Sequence, residues 1–194
     1  MPKVMPEYKE EVRKKIVHAA IELSDAEGLA NVRMEDVANK LGISRTTLYL
    51  YFKSRDDLVT QAHMTFRKGI SEVLNSAFEK DSYDDIFSSI FDDFIYPENG
   101  FGTRSVIEMF AEAIRNDKIS AAMEDNYLAM REMIAGIIEE QKGKGLISED
   151  VDSIRVAEII QSITLGIKMG SVVGLDRDEA KKIWKAAIEK LIFK

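Results

Sequence analysis

Ser44 is followed directly by Arg45, Thr46 and Thr47, so one guanidinium and three hydroxyls fall within four consecutive residues. Hydroxyls of this kind become nucleophiles only beside a base. The two histidines, His18 and His63, stand in no triad or metal-ligand spacing. Cysteine is absent, which removes thiolate nucleophiles, thiolate metal ligands and disulfides together. No glycine-rich phosphate loop or nucleophile elbow occurs. The carboxylate pairs Asp92-Asp93 and Glu139-Glu140 are adjacent in sequence and so diverge around a helix. No catalytic residue, metal site or cofactor is therefore expected. What the Ser44–Thr47 cluster can do is donate and accept hydrogen bonds, which is recognition chemistry.

The surrounding residues supply a frame for that chemistry. Met34, Val37, Ala38 and Leu41 recur at helical spacing, Gly42 closes the set, and a second short apolar set runs through Leu48 and Phe52. Two short helices joined by a turn of three or four residues containing glycine form a helix-turn-helix. Ala38 lets the helices approach, Gly42 permits the turn, and Ile43 fills the angle between them. Ser44 offers its oxygen to the free N–H groups of the second helix. Arg45, Thr46 and Thr47 then project from that helix's first turn, the part that meets base edges when such a helix enters a major groove.

Net charge alone argues against a polyanion partner, since the chain carries -7. Its distribution says more: residues 1–68 hold 12 Lys+Arg against 10 Asp+Glu, a net of +2, and the remainder carries -9. A nucleic-acid-reading module joined to an acidic body fits this split. The three prolines stand at 2, 6 and 97, and apolar residues recur at helical spacing nearly throughout, so an all-α chain of about nine helices is expected. The first helix is centred on Val12, Ile16, Ala19, Ala20 and Leu23, with Gly28 beyond its end. A linking helix runs from Asp56 or Asp57 toward Phe78. Pro97–Gly100 reads as a loop, and a long helix carries Ile119 through Ile137 to Lys142-Gly143. Asp176-Arg177-Asp178-Glu179 reads as a capping box for the last helix.

These residues carry a family resemblance. Gly28, Asp36-Val37-Ala38, Leu41-Gly42-Ile43-Ser44, Leu48-Tyr49, Tyr51-Phe52-Lys53 and Asp57-Leu58 fall in the order and spacing of the TetR family of transcriptional regulators, which the chain resembles over about residues 12–66. The resemblance implies a three-helix DNA-binding domain over residues 1–54 and a helical effector-binding and dimerisation domain over 55–194. It also implies that Arg45 pairs with a guanine and that Thr46 and Thr47 reach bases or phosphates. Tyr49 and Tyr51 would serve as phosphate and thymine-methyl contacts, and Lys53 as a phosphate anchor. Arg33 stands where the family usually places a hydroxyl cap, which exchanges the cap for a longer cationic reach toward phosphate. Lys3, Lys9 and Arg13-Lys14-Lys15 read either as a minor-groove arm or as a flexible polar terminus.

For the acidic body, the family pattern implies an apolar effector pocket and a pair of final helices that bundle with a second subunit. Phe66, Met109, Phe110, Met123, Tyr127 and Met130 are the candidate pocket residues, with Glu112, Arg115 and Asn116 to hold a polar group. The stretch from Glu112 to Ile119 resembles family members that sense fatty-acyl thioesters, so an acyl-type or otherwise hydrophobic effector is expected, of unspecified identity. The helix from Val156 to Val173 is apolar on most of its circumference, and Gly166, Gly170 and Gly174, the last just beyond it, recur at every fourth position. Two buried faces are expected of it, one closed by a homodimer through Ile163, Gly166, Gly170, Trp184 and Ile188, with a buried glycine kink inside the monomer as the competing account.

The expected function is thus a cytoplasmic, ligand-responsive DNA-binding regulator with no membrane partner; the default expectation is a repressor released from double-stranded operator DNA by a small apolar effector, and the alternative sign of control is activation. A helical ligand carrier that has lost DNA binding is the alternative, and an enzyme a more distant one.

Overall fold

Nine α-helices form among the described residues, which in this computed structural model are 6–80, 82–97 and 103–192; the side chains of residues 6, 7, 63 and 65–69 lie outside the description. They are α1 (Pro6–Glu27), α2 (Met34–Leu41), α3 (Arg45–Tyr49), α4 (Arg55–Ala77), α5 (Tyr83–Ile90), α6 (Thr103–Ala113), α7 (Asp117–Gly143), α8 (Ser153–Val172) and α9 (Arg177–Ile192). A 3-10 turn, Leu29–Asn31, follows α1, and α5 continues into a π-helical turn, Phe91–Ile95. No strand occurs among the described residues, and no helix there is long and apolar enough to cross a membrane. Phe66, expected in the effector pocket, has its side chain outside the description. So do residues 98–100 of the expected loop and Lys3 of the basic N-terminus.

The chain divides into two compact units, residues 1–66 with 101–123, and residues 67–100 with 124–194. In the first, α1 turns Ile16, Val17, Ala19 and Ala20 onto Val37 and Ala38 of α2, Leu48 of α3, Phe52 and Leu58. Phe52 and Leu48 are fully enclosed, each burial contributing about 1.5–3 kcal/mol. The apolar spacing predicts the short helix to run through Phe52, but it stops at Tyr49, and Phe52 reaches the core from the following loop. The linking helix begins earlier than Asp56, at Arg55, because the Ser54 hydroxyl accepts the Asp57 N–H at 3.2 Å. A second small core in this unit joins Leu29, Val59, Met109, Ile119 and Met123.

The second unit packs α5, the π-turn, the later part of α7, α8 and α9 around Phe91, Ile95, Ile138, Ala157, Ile167, Trp184 and Ile188. The π-turn is pinned to α8 and α9. Lys168 donates to the Phe94 and Ile95 carbonyls at 3.1 Å each, the Tyr96 hydroxyl donates to the Leu175 carbonyl at 3.1 Å, and Asp92 accepts from Arg177 and Lys181 at 2.8 and 3.0 Å. The two Lys168 bonds satisfy carbonyls that the widened turn leaves without ordinary helical partners. At the start of α9 the Asp176 carboxylate accepts the Glu179 N–H at 3.0 Å, as expected of a cap.

Candidate nucleic-acid interface

Gly42 adopts φ +64°, the left-handed conformation that ends α2, and the Ile43 N–H reaches back to the Ala38 carbonyl at 3.0 Å. Ser44 then starts α3: its hydroxyl accepts the Thr47 N–H at 3.0 Å and lies 2.8 Å from the Thr47 hydroxyl. The side chains named by the sequence fall into two groups around this helix. Arg33, Ser44, Arg45, Thr46, Tyr49 and Lys53 are exposed, and Thr47 and Tyr51 are half-buried. Arg33 stands at the cap position of α2 with extended backbone and makes no side-chain capping bond, leaving its guanidinium free of that task.

Arg45 has one charged neighbour that the sequence reading passed over: its Nη1 lies 3.6 Å from Glu35 Oε2, in the first turn of α2. Arg13, grouped with Lys14 and Lys15 as a basic arm, is instead turned inward. Its Nη1 donates to the Tyr51 carbonyl at 3.0 Å and its guanidinium stacks 4.4 Å from the Phe52 ring centroid, tying α1 to the end of the recognition segment.

The link from α1 to α2 is held from downstream. Arg55 donates from Nε to the Val32 carbonyl at 3.0 Å and from Nη2 to the Leu29 carbonyl at 2.6 Å, and its fork also grips Glu112 of α6 at 2.7 and 3.3 Å. The Leu29 N–H donates to the Glu108 carboxylate, which also accepts from Arg104 at 2.7 Å. Gly28, at φ +91°, sits so close that a Cβ there would lie 2.7 Å from Arg104 and 2.9 Å from Glu108. Ser24 and Ser105 are bonded at 2.7 Å beside the same link.

The expected effector residues are divided between the two units. Met109 and Met123 belong to the small core of the first unit, while Phe110, Arg115 and Tyr127 are exposed, and Met130 is buried in the second unit. Glu112 is occupied by Arg55, and the Asn116 side-chain oxygen caps α7 by accepting the Lys118 and Ile119 N–H groups. An apolar cavity of about 60 Å³ lies elsewhere in the second unit. Leu74 and Phe78, Ile86, Phe87 and Ile90 of α5, Phe94 and Ile95 of the π-turn, Ile134 and Ile138 of α7, Ile160 of α8, and Trp184 and Ile188 of α9 are among its walls.

Trp184 and Ile188, expected to meet a second subunit, are thus buried in the chain's own core at 2% exposure each. Gly170 is likewise used internally, because a Cβ there would lie 2.9 Å from the chain's own Leu175 side chain. Gly166 is exposed with open space around it, and Ile163 is half-buried. The apolar surface that α8 and α9 leave exposed includes Met169, Val172, Val173 and Ile183.

The comparisons with known proteins agree with this geometry. Residues 16–62 match the model of bacterial regulatory proteins of the tetR family, and residues 99–192 match the C-terminal model of BetI-type transcriptional repressors. The HTH-type transcriptional regulator UidR of Escherichia coli K12 is 24% identical over 164 residues, 80% of this chain and 79% of its own. The uncharacterized HTH-type transcriptional regulator YvdT of Bacillus subtilis is 21% identical over 186 residues, 95% and 94% of the two chains. Among solved structures, a TetR-family transcriptional regulator from Rhodococcus sp. superposes with a TM-score of 0.82 at 20% identity, covering 94% of this chain and 99% of its own. A transcriptional regulator of Saccharomonospora viridis in complex with choline gives 0.73 at 21%, covering 94% and 98%. These likenesses extend the fold over nearly the whole chain. With two family models that between them span the helix-turn-helix and the C-terminal helices, the chain belongs to the TetR family of transcriptional regulators.

Proposed function

We propose that the chain is a ligand-responsive repressor that acts in the cytoplasm as a homodimer on a pseudo-palindromic operator and is released by a small, largely apolar effector. The observation that carries the DNA-reading part is the Ser44-capped α3, which leaves Arg45 and Thr46 exposed on its first turn with Tyr49 and Lys53 exposed beyond it. In a dimer, two such helices would enter successive major grooves about 34–36 Å apart. Arg33, Ser44, Arg45, Thr46, Thr47, Tyr49, Tyr51 and Lys53 are the proposed DNA contacts.

The test is duplex binding against salt. Arg45→Ala should lose about 1–3 kcal/mol of preference at one operator position, whereas Lys53→Ala should weaken all sequences alike and shallow the salt slope by about one unit. Absent or salt-insensitive binding to the promoter of its own neighbourhood would overturn the reading.

For the effector, the apolar cavity of the second unit is the proposed site. Its walls favour an uncharged or acyl-type group. Lys168 already occupies the face of Phe94 at 5.5 Å and sits on the carbonyls of the same turn, which disfavours a second cation there. At about 60 Å³ the cavity is far below the few hundred Å³ of a typical ligand site, so binding has to widen it. Leu74, in the last turn of α4, and Phe78, just beyond it, stand in its wall, and widening would displace that end of the helix. The effector shifts the equilibrium only by its differential affinity for the two arrangements.

A further inference from the structure

An exposed ion pair adds little stability, because water screens it and two long side chains lose freedom to form it. Arg45 and Glu35, at 60% and 56% exposure, form such a pair at 3.6 Å, and their location gives it another use. Arg45 belongs to the first turn of α3 and Glu35 to the first turn of α2, so the carboxylate reaches across the helix-turn-helix to the exposed guanidinium on the proposed reading helix. Only the Nη1 end of the fork is engaged, and no hydrogen bond occupies its Nε–Nη2 edge among the described residues. That edge carries the two parallel donors that match guanine O6 and N7.

We infer that Glu35 is a positioning residue for base reading: it holds the Nη1 end of Arg45 so that the opposite edge is presented to one guanine. This rests on the DNA-reading assignment of Arg45 above. Two physical effects follow. An arginine already held in its reading rotamer loses less side-chain freedom on binding, which raises affinity for the matching base. A carboxylate beside a phosphate-facing surface also repels the backbone of every duplex alike, which lowers binding to unrelated sequence. Both raise discrimination, at the expense of general affinity.

The experiment selects binding sites for the native protein from a randomised duplex pool and then measures every single-base change in the selected site. Glu35→Ala should lower discrimination about three- to tenfold at the one position where Arg45→Ala also loses it, and leave the other positions unchanged. Binding to unrelated duplex should tighten. Glu35→Gln keeps an oxygen acceptor and should recover part of the discrimination. In an Arg45→Ala background, Glu35→Ala should have no further effect at that position. Both sites are exposed, so the thermal midpoints should match the native one and exclude a folding cause. Unchanged discrimination in Glu35→Ala overturns the inference while leaving the DNA-reading assignment intact. Loss at several positions, or at none in Arg45→Ala, also overturns it. A native protein that selects no site overturns both.

Discussion

Arg55 and Glu112 form a two-point ion pair, 2.7 and 3.3 Å, between the first residue of α4 and the last turn of α6, and the same guanidinium holds the Leu29 and Val32 carbonyls. One planar fork therefore fixes the segment that aims α2. Lysine cannot reproduce this, because a single ammonium offers no fork. Arg55→Ala should destabilise the chain by about 2 kcal/mol in urea unfolding, since it leaves the Glu112 carboxylate and the Val32 carbonyl to find other partners and the Leu29 carbonyl with the Val32 N–H alone. Arg55→Lys should recover less than half of that loss. Operator affinity should fall in both variants at temperatures where circular dichroism reports full helicity.

The tryptophan at position 184 is the chain's only one and stands in the cavity wall, so its fluorescence responds to filling of that cavity; its other side borders an open groove with Asp84, Lys181 and Lys185. Titration with naphthalene should change its emission saturably, and choline chloride should not. Filling the space with Ile160→Phe should abolish the naphthalene response and cost about 1–3 kcal/mol in stability. A choline response equal to that of naphthalene would refute the uncharged-effector proposal.

Burial lowers the amine of Lys168 to about pH 8 from an ordinary value of 10.5. With the folded value below the unfolded one, the unfolded chain binds the extra proton between those limits. The stability associated with a neutral Lys168 is full above pH 10.5 and is lost as pH falls through 8. Relative to Lys168→Met, the native chain should therefore gain stability as pH rises from 8 toward 10.5. Urea midpoints of the two proteins across that range test the sign.

The exposed Met169, Val172 and Val173 are the surface we assign to the second subunit, with Ile163 and Gly166. Charge placed there should separate the subunits without disturbing the core. Val172→Asp combined with Met169→Asp should sediment as a monomer at micromolar concentration with native helicity. A native chain that is itself monomeric would defeat the dimer.

Local features of the fold were legible because their causes are local. A glycine after Leu41 and a serine before Arg45 state the end of one helix and the start of the next within a few residues, and Asp176 marks α9 in the same way. The π-turn left no such mark: one added residue per turn barely shifts the apolar spacing around Phe91 and Ile95. Long-range partners were invisible for the same reason. Nothing near Arg55 announces Glu112, which lies 57 positions away. An apolar helix also states how much surface it must cover but not which neighbour covers it. That is why Trp184 and Ile188 read as partner contacts although they close the chain's own core, and why methionines at helical spacing read as pocket walls although Met109 and Met123 pack a small core.

The clamp on the α1–α2 link makes the DNA-reading half non-transplantable as a continuous segment. A graft ending at residue 54 would carry α1, α2 and α3 but leave behind Arg55 and Glu108, the side chains that hold Leu29 and Val32, and Glu112, which holds Arg55. The helices would remain, with their entry angle no longer specified. A chimeric regulator built from this protein has to import two separated stretches, one through Arg55 and one spanning α6, or it will exchange a defined reading head for a loosely aimed one.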